Sequence, residues 1–130
     1  MLPPVRQAID QVRRAFPDHG IETLAEPQGG AYLVVDEVPI GDAFVQTTSW
    51  LGFLVGFQYP RAHVYPHWLR EDLARADGSE LRPPLHAGHQ MPGFERRAVM
   101  LSRASNRWDP SRDTAALKLE RVLHWLREAT

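Results

Sequence analysis

Hydrophobic residues recur at helical spacing near both ends of the chain. After Pro3 and Pro4 the apolar positions lie three or four residues apart, and Pro17 ends the run. These positions are Val5, Ala8, Ile9, Val12 and Phe16. Near the other end, Asp109 is suited to cap a helix that has Pro110 at its first position. One face of that second helix carries Ala115, Leu119, Val122, Leu123 and Leu126. The pattern predicts a helix at each end.

Between these helices, apolar residues alternate or run together as they do in β-strands. Four segments have this pattern: GIETLAE (20–26), AYLVVDEVPI (31–40), TTSWLGFLVGFQYP (47–60) and HVYPHWL (63–69). In the third segment Leu51, Phe53 and Phe57 share one face, on which we expect the first helix to pack. Pro66 interrupts the fourth segment, which predicts a position at the edge of the sheet.

The order of these segments predicts an α+β domain of two layers. Short connections between consecutive strands favour an antiparallel meander. Residues 70–95 then form a long loop, and a short extended segment leads to the last helix. We therefore expect a single domain over residues 1–130, with an N-terminal helix, a four-stranded antiparallel meander, a long active-site loop and a C-terminal helix.

Composition and charge narrow the classes of function. The formal net charge is −1, so charge gives no case for a nucleic-acid or membrane partner. The chain has no cysteine, which excludes disulfides, thiolate metal sites and thiol catalysis. No apolar run approaches the ~20 residues of a membrane span, and the N-terminus lacks the core of a signal peptide. We expect a soluble, cytoplasmic protein with no cofactor.

The segment RRAVMLSRASNRWDP (96–110) carries the strongest candidate chemistry. If residues 97–102 are extended, Ala98, Met100 and Ser102 share one face, which makes Ser102 a candidate nucleophile. A serine at this point can also simply end the strand or bond its own backbone. A serine nucleophile needs a neighbouring base, and His86 and His89 in the predicted loop are candidates. The same two histidines could bind a metal, but no further ligands complete such a set.

Three pieces of the sequence resemble the ubiquitin-conjugating enzymes. Tyr59 and Pro60, in GFQYPRAHVYPHW (56–68), match the aromatic-x-Tyr-Pro junction between that family's third and fourth strands. The segment VMLSRASNRWDP (99–110) resembles the family's active-site segment, in which the catalytic cysteine lies eight residues before a Trp-x-Pro. Here Trp108 also leads into a helix, under which we expect it to be a core residue. Eight residues before Trp108 stands Met100, so the cysteine is absent.

The pair Ser102-Arg103 is similar to divergent bacterial families of the ubiquitin-conjugating type. The family's His-Pro-Asn triplet should fall near residues 89–92, where the sequence is HQMP and has no asparagine. The resemblance implies acyl transfer, with a ubiquitin-like protein and an activating-enzyme-like protein as partners. It implies Ser102 as the nucleophile that carries the modifier as an oxyester, and His89, nearest the triplet, as the base. Arg103 would stabilise the oxyanion or bind the modifier's tail.

Two functions of different class follow from this resemblance. The first is a noncanonical ubiquitin-like-protein conjugating enzyme, which the Ser102-Arg103 pair favours. The second is a catalytically inactive binding module of the same fold, which positions a ubiquitin-like protein or its activating enzyme; Met100 at the thiol position favours it. Replacement of a native cysteine would leave the same pattern. Within the first function, Ser105 is a weaker candidate nucleophile and Gln90 a weaker oxyanion donor.

Overall fold

In the computed structural model, which describes residues 1–105 and 107–128, a six-stranded antiparallel sheet carries two helices on one face. The elements are α1 (Pro3–Ala15), β1 (Ile21–Ala25), β2 (Ala31–Pro39), β3 (Thr48–Val55), β4 (His67–Arg70), β5 (Leu85–Met91), β6 (Arg96–Leu101) and α2 (Ala115–Glu128). The strands lie in the order β1-β2-β3-β4-β6-β5, with antiparallel neighbours throughout. The predicted α+β class with a helix at each end is confirmed.

The sheet has two strands more than the four-stranded meander that the sequence predicts. The region predicted as a loop over residues 70–95 contains β5, which pairs with β6. The strand escapes prediction because only Leu85 and Met91, at its two ends, are buried. A register shift between His86 and His89, with Gly88 at a φ of 79°, further breaks its alternation.

The predicted edge position of β4 is wrong. This strand lies inside the sheet, where it pairs with β3 on one side and β6 on the other. Pro66 precedes the strand, which begins at His67, so its missing N–H does not interrupt the ladder. The edges of the sheet are β1 and β5 instead.

The main hydrophobic core lies between the helices and one face of the sheet. Its residues include Val5, Val12, Leu33, Leu51, Phe53, Val99, Leu101, Leu119 and Leu126. Leu51 and Phe53 face α1 as predicted, but Phe57 does not. Because β3 ends at Val55, Phe57 lies beyond the strand and is 44% exposed.

The second helix begins later than the predicted cap at Asp109. It starts at Ala115, and the Thr114 hydroxyl oxygen accepts a hydrogen bond from the backbone N–H of Leu117 at 3.1 Å. Asp109 instead closes a turn, since its carboxylate accepts hydrogen bonds from both the N–H and the hydroxyl of Ser111. Among the described elements, neither helix is long and apolar enough to cross a membrane.

A smaller apolar cluster lies on the other face of the sheet. Its buried members are Val34, Trp68, Met91 and Ala98, and Tyr32, Trp50, Phe94 and Met100 pack against them half-buried. The guanidinium of Arg96 lies over the rings of Trp50 and Phe94, 4.9 and 5.9 Å from their centroids. This open face carries the candidate nucleophile at its β5 edge.

Candidate active site

Ser102 and His86 are in direct contact at the end of the β5–β6 hairpin. Ser102 directly follows β6, and His86 pairs with Met100 across the ladder. The backbone N–H of Ser102 donates to the carbonyl oxygen of Pro84 at 2.9 Å, which holds the two segments together. The Nε2 atom of His86 lies 2.8 Å from Oγ of Ser102. A nucleophile and a base at this distance are within reach of proton transfer.

The Ser102 hydroxyl has a second neighbour, and its single proton can go to only one of the two. Its Oγ also lies 3.3 Å from the carbonyl oxygen of Pro84. With Nε2 of His86 unprotonated, the hydroxyl donates to the ring over the shorter distance, and the pair is ready for base catalysis. With Nε2 protonated, the ring donates to Oγ and the hydroxyl donates to Pro84.

The structure brings Ser102 together with His86 and not with His89. His89 pairs with Ala98 and is exposed, and its ring centroid lies 6.3 Å from that of His86. Both histidines project from the same face because the register shift between them lets them pair with Met100 and Ala98, which share a face of β6. If β5 and β6 are treated as a hairpin and paired outward from the 92–95 turn, the sequence predicts that His86 lies opposite Met100. This prediction also requires the register shift between His86 and His89.

Arg103 lies beside Ser102 in the chain but its side chain points elsewhere. Its guanidinium lies over the ring of Trp125 on α2, 5.4 Å from the centroid. Ser102 faces β5, whereas Arg103 faces the last helix. The Ser102–His86 pair therefore lies at the β5 edge of the sheet, away from the guanidinium of Arg103.

Met100, at the position of the family's cysteine, is a packing residue. It is half-buried against the open-face cluster and pairs with Trp68 on one side and His86 on the other. The predicted alternation of β6 is confirmed here, because Ala98 and Met100 join the open-face cluster while Val99 and Leu101 join the main core.

Lys118 is a buried cation beside the segment after Ser102, and it is not among the site residues that the sequence predicts. Lys118 is 3% exposed. Its Nζ donates to the carbonyl oxygen of Arg103 at 2.8 Å and to Oγ of Ser105 at 2.7 Å. Burial, with the nearby charges of Arg103 and Arg121, lowers the pKa of this ammonium group. The available signal was its helical spacing, since Lys118 falls on the apolar stripe of α2 next to Leu119.

The residues that carry the resemblance to the conjugating enzymes meet in space. The indole N–H of Trp108 donates to the carbonyl oxygen of Pro60 at 2.6 Å, and the ring centroids of Tyr59 and Trp108 are 6.4 Å apart. The Tyr59 hydroxyl accepts a hydrogen bond from the N–H of Ala115, the first residue of α2. Trp108 packs half-buried on the main core, as predicted. This contact fixes the segment after Ser102 against the rest of the domain.

Within residues 1–105 and 107–128, no group of three or more histidine, cysteine, aspartate or glutamate side chains could hold a metal ion. The His86–His89 pair thus gains no further ligand from the described part of the chain. Comparison of the sequence and structure with protein-family models, with curated proteins and with solved structures finds no match.

Proposed function

We propose that this protein is a noncanonical conjugating protein of the ubiquitin-like type, in which Ser102 accepts the acyl group of a modifier's C-terminus. The observation that carries this proposal is the 2.8 Å contact between Nε2 of His86 and Oγ of Ser102. His86, rather than His89, is the base in this proposal. Ubiquitin-like and activating-enzyme-like proteins are the partners that the sequence resemblance implies.

The proposed chemistry is two acyl transfers through an oxyester. His86 takes the Ser102 proton while Oγ attacks the carbonyl carbon of the modifier's thioester on the activating enzyme. The tetrahedral intermediate then expels the thiolate, which receives the proton from His86. In the second step an amine attacks the ester carbonyl carbon, His86 takes a proton from the amine, and this proton passes to Oγ of Ser102 as the ester bond breaks. Arg103 has no part in these steps, because its guanidinium lies over the ring of Trp125 and not beside Ser102.

A second candidate function is an inactive binding module that positions a ubiquitin-like protein or its activating enzyme. It is favoured by the backbone bonds of Ser102, since both its N–H and its hydroxyl lie within hydrogen-bond distance of the Pro84 carbonyl oxygen. In this function Ser102 ends the hairpin and His86 donates to it. The half-buried aromatic side chains of Tyr32, Trp50 and Phe94 then offer the contact surface.

An acyl probe separates the two functions without any partner. We expect p-nitrophenyl acetate to acetylate Ser102 of the purified protein, as measured by intact mass and peptide mapping. His86→Gln should slow acylation by about a hundredfold, the usual contribution of a positioned base. His89→Gln is the matched control and should leave the rate unchanged. No acetylation of Ser102, or equal effects of the two histidine variants, would contradict the proposal.

Reconstitution tests the conjugation step itself. With an activating enzyme, its modifier and ATP, the oxyester on Ser102 should resist reducing agent and be cleaved by mild base. An isopeptide to Lys118, the only lysine, would survive both treatments. Ser102→Ala should remove the base-labile adduct, whereas Ser105→Ala should keep it. Binding of both partners without an adduct would favour the inactive module instead.

A further inference from the structure

A cavity of about 620 Å³ lies between the segment after Ser102 and α2. Cationic side chains dominate its lining: Arg103, Arg107, Arg112, Lys118 and Arg121. Two carboxylates, those of Asp109 and Asp113, also line it. Since the whole chain has a formal net charge of −1, this concentration of positive charge is local.

The two carboxylates of the cavity are already engaged. Asp113 pairs with Arg121 at 2.7 Å, and its second oxygen accepts the backbone N–H of Asp109 at 2.7 Å. Asp109 accepts two hydrogen bonds from Ser111. Among the described residues, the pair between Asp113 and Arg121 is the only ion pair within this cavity. The positive charge in the cavity lining therefore exceeds the negative charge of its two carboxylates.

Lys118 is the buried member of this group of cationic side chains. Its Nζ is held by the Arg103 carbonyl oxygen and the Ser105 hydroxyl, both uncharged groups. The charges of Arg103 and Arg121 oppose its protonation, while Asp113 favours it. An anion bound in the cavity would relieve this repulsion, because it adds negative charge where like charges are crowded.

We propose that this cavity binds the phosphate group of a small ligand through Arg103, Arg112 and Arg121. Arginine forks donate pairs of parallel hydrogen bonds to phosphate oxygens. Three forks offer more donors than the two oxygens of a carboxylate accept, whereas a phosphate has three or four oxygens and up to two charges. This site is separate from the Ser102–His86 pair and does not depend on the proposed acyl transfer.

A neighbouring cavity gives the remainder of such a ligand a place to lie. It has a volume of about 590 Å³ and shares Arg103, Leu117 and Arg121 with the cationic cavity. Trp125 also lines it. An aromatic ring beside an arginine cluster suits the base of a nucleotide, whereas inorganic phosphate or diphosphate would use the cationic cavity alone.

Calorimetric titration of the full chain with inorganic phosphate, pyrophosphate and ADP, and with acetate as the reference anion, at constant ionic strength, tests this site. We expect saturable binding to one site, with pyrophosphate tighter than phosphate. The double variant Arg103→Gln/Arg112→Gln should weaken pyrophosphate binding by at least about tenfold, because each charge-assisted hydrogen bond contributes substantially. Both arginines are exposed, so the variant should fold, which circular dichroism checks.

Arg97→Gln is the matched control, because Arg97 is 81% exposed and pairs with Glu71 outside the cavity. It should bind pyrophosphate as the unaltered protein does, and so should Ser102→Ala. Tighter binding of ADP than of pyrophosphate, lost in Trp125→Leu, identifies a nucleotide; equal binding identifies a diphosphate. No saturable binding, equal affinity for acetate, or equal weakening by Arg97→Gln would overturn the proposal.

Discussion

Trp108 donates its indole N–H to the carbonyl oxygen of Pro60, 2.6 Å away, and so joins two segments that lie 48 residues apart in the chain. The first segment connects β3 to β4, and the second connects β6 to α2. Tyr59, which precedes Pro60 in the first segment, has its ring near Trp108 and its hydroxyl at the first residue of α2. These hydrogen bonds hold the segment after β6 and the start of α2 against the connection between β3 and β4.

Trp108→Phe should lower the free energy of unfolding by about 1 kcal/mol, because it removes the N–H donor and leaves the Pro60 carbonyl oxygen without it. Urea denaturation followed by circular dichroism measures the change. Trp125→Phe makes the same change of ring at a half-buried tryptophan for which no described hydrogen bond is broken. Equal losses in the two variants would show that ring size and not the hydrogen bond is responsible.

Tyr59→Phe should cost about 1–3 kcal/mol of stability, because it leaves the buried N–H of Ala115 without its acceptor. The cost should appear locally as faster hydrogen exchange at the first turn of α2. Tyr65→Phe serves as the control, since Tyr65 is 42% exposed. If exchange at Ala115 is unchanged, the hydroxyl of Tyr59 does not hold the start of the helix.

His67 should make the fold sensitive to acid. The side chain is fully buried, neither ring nitrogen has a hydrogen-bond partner among the described protein atoms, and burial and the charge of Lys118 lower its pKa from 6.5 to about 3. Between these values the folded state keeps His67 neutral while the unfolded state is protonated. Unfolding therefore takes up a proton, and stability falls with decreasing pH by up to about 1.4 kcal/mol per pH unit.

His67→Leu should remove this dependence. From pH 8 to pH 5 the free energy of unfolding of the variant should fall by about 2 kcal/mol less than that of the unaltered protein. Urea denaturation at both pH values measures this difference. Because each protein is compared with itself at the two pH values, the loss of stability that comes from the different shape of leucine cancels. His124→Gln, at an exposed position of α2, should follow the unaltered protein. A variant His67→Leu with unchanged acid sensitivity would assign that sensitivity to other groups.

Gly93 should tolerate alanine far less than Gly78, although the two share nearly the same backbone conformation. Their φ angles are 82° and 81°, so alanine at either position costs about 1–2 kcal/mol in backbone strain. At Gly93 the added Cβ would also overlap the ring of Tyr32, whereas at Gly78 nothing lies within 4 Å. Gly93→Ala should therefore lose about 1–3 kcal/mol more, as measured by thermal unfolding. Equal losses would mean that the 92–95 turn moves away from Tyr32.

The sequence alone predicted the elements whose pattern is local. The spacing of apolar residues identified both helices, the first strands, and the face that Ala98 and Met100 share on β6. It also identified Trp108 as a core residue. The helices, the strands and the shared face follow from the 3.6-residue or two-residue period of one segment, and the expectation for Trp108 follows from its large aromatic ring before the last helix, so no distant contact is needed to infer them.

Only the tertiary structure decided which segments meet. β5 has four exposed residues between buried ends, so its pairing with β6 cannot be inferred from hydrophobicity. The prediction of His89 as the base rests on the resemblance alone. The register of the hairpin brings His86 to Ser102 instead. In the same way, Lys118 joins the loop after Ser102 because α2 packs over it, although the two lie apart in the sequence. The hydrophobic period of a segment predicts which of its residues share a face. Which faces come into contact depends on the strand pairing and packing of the whole chain.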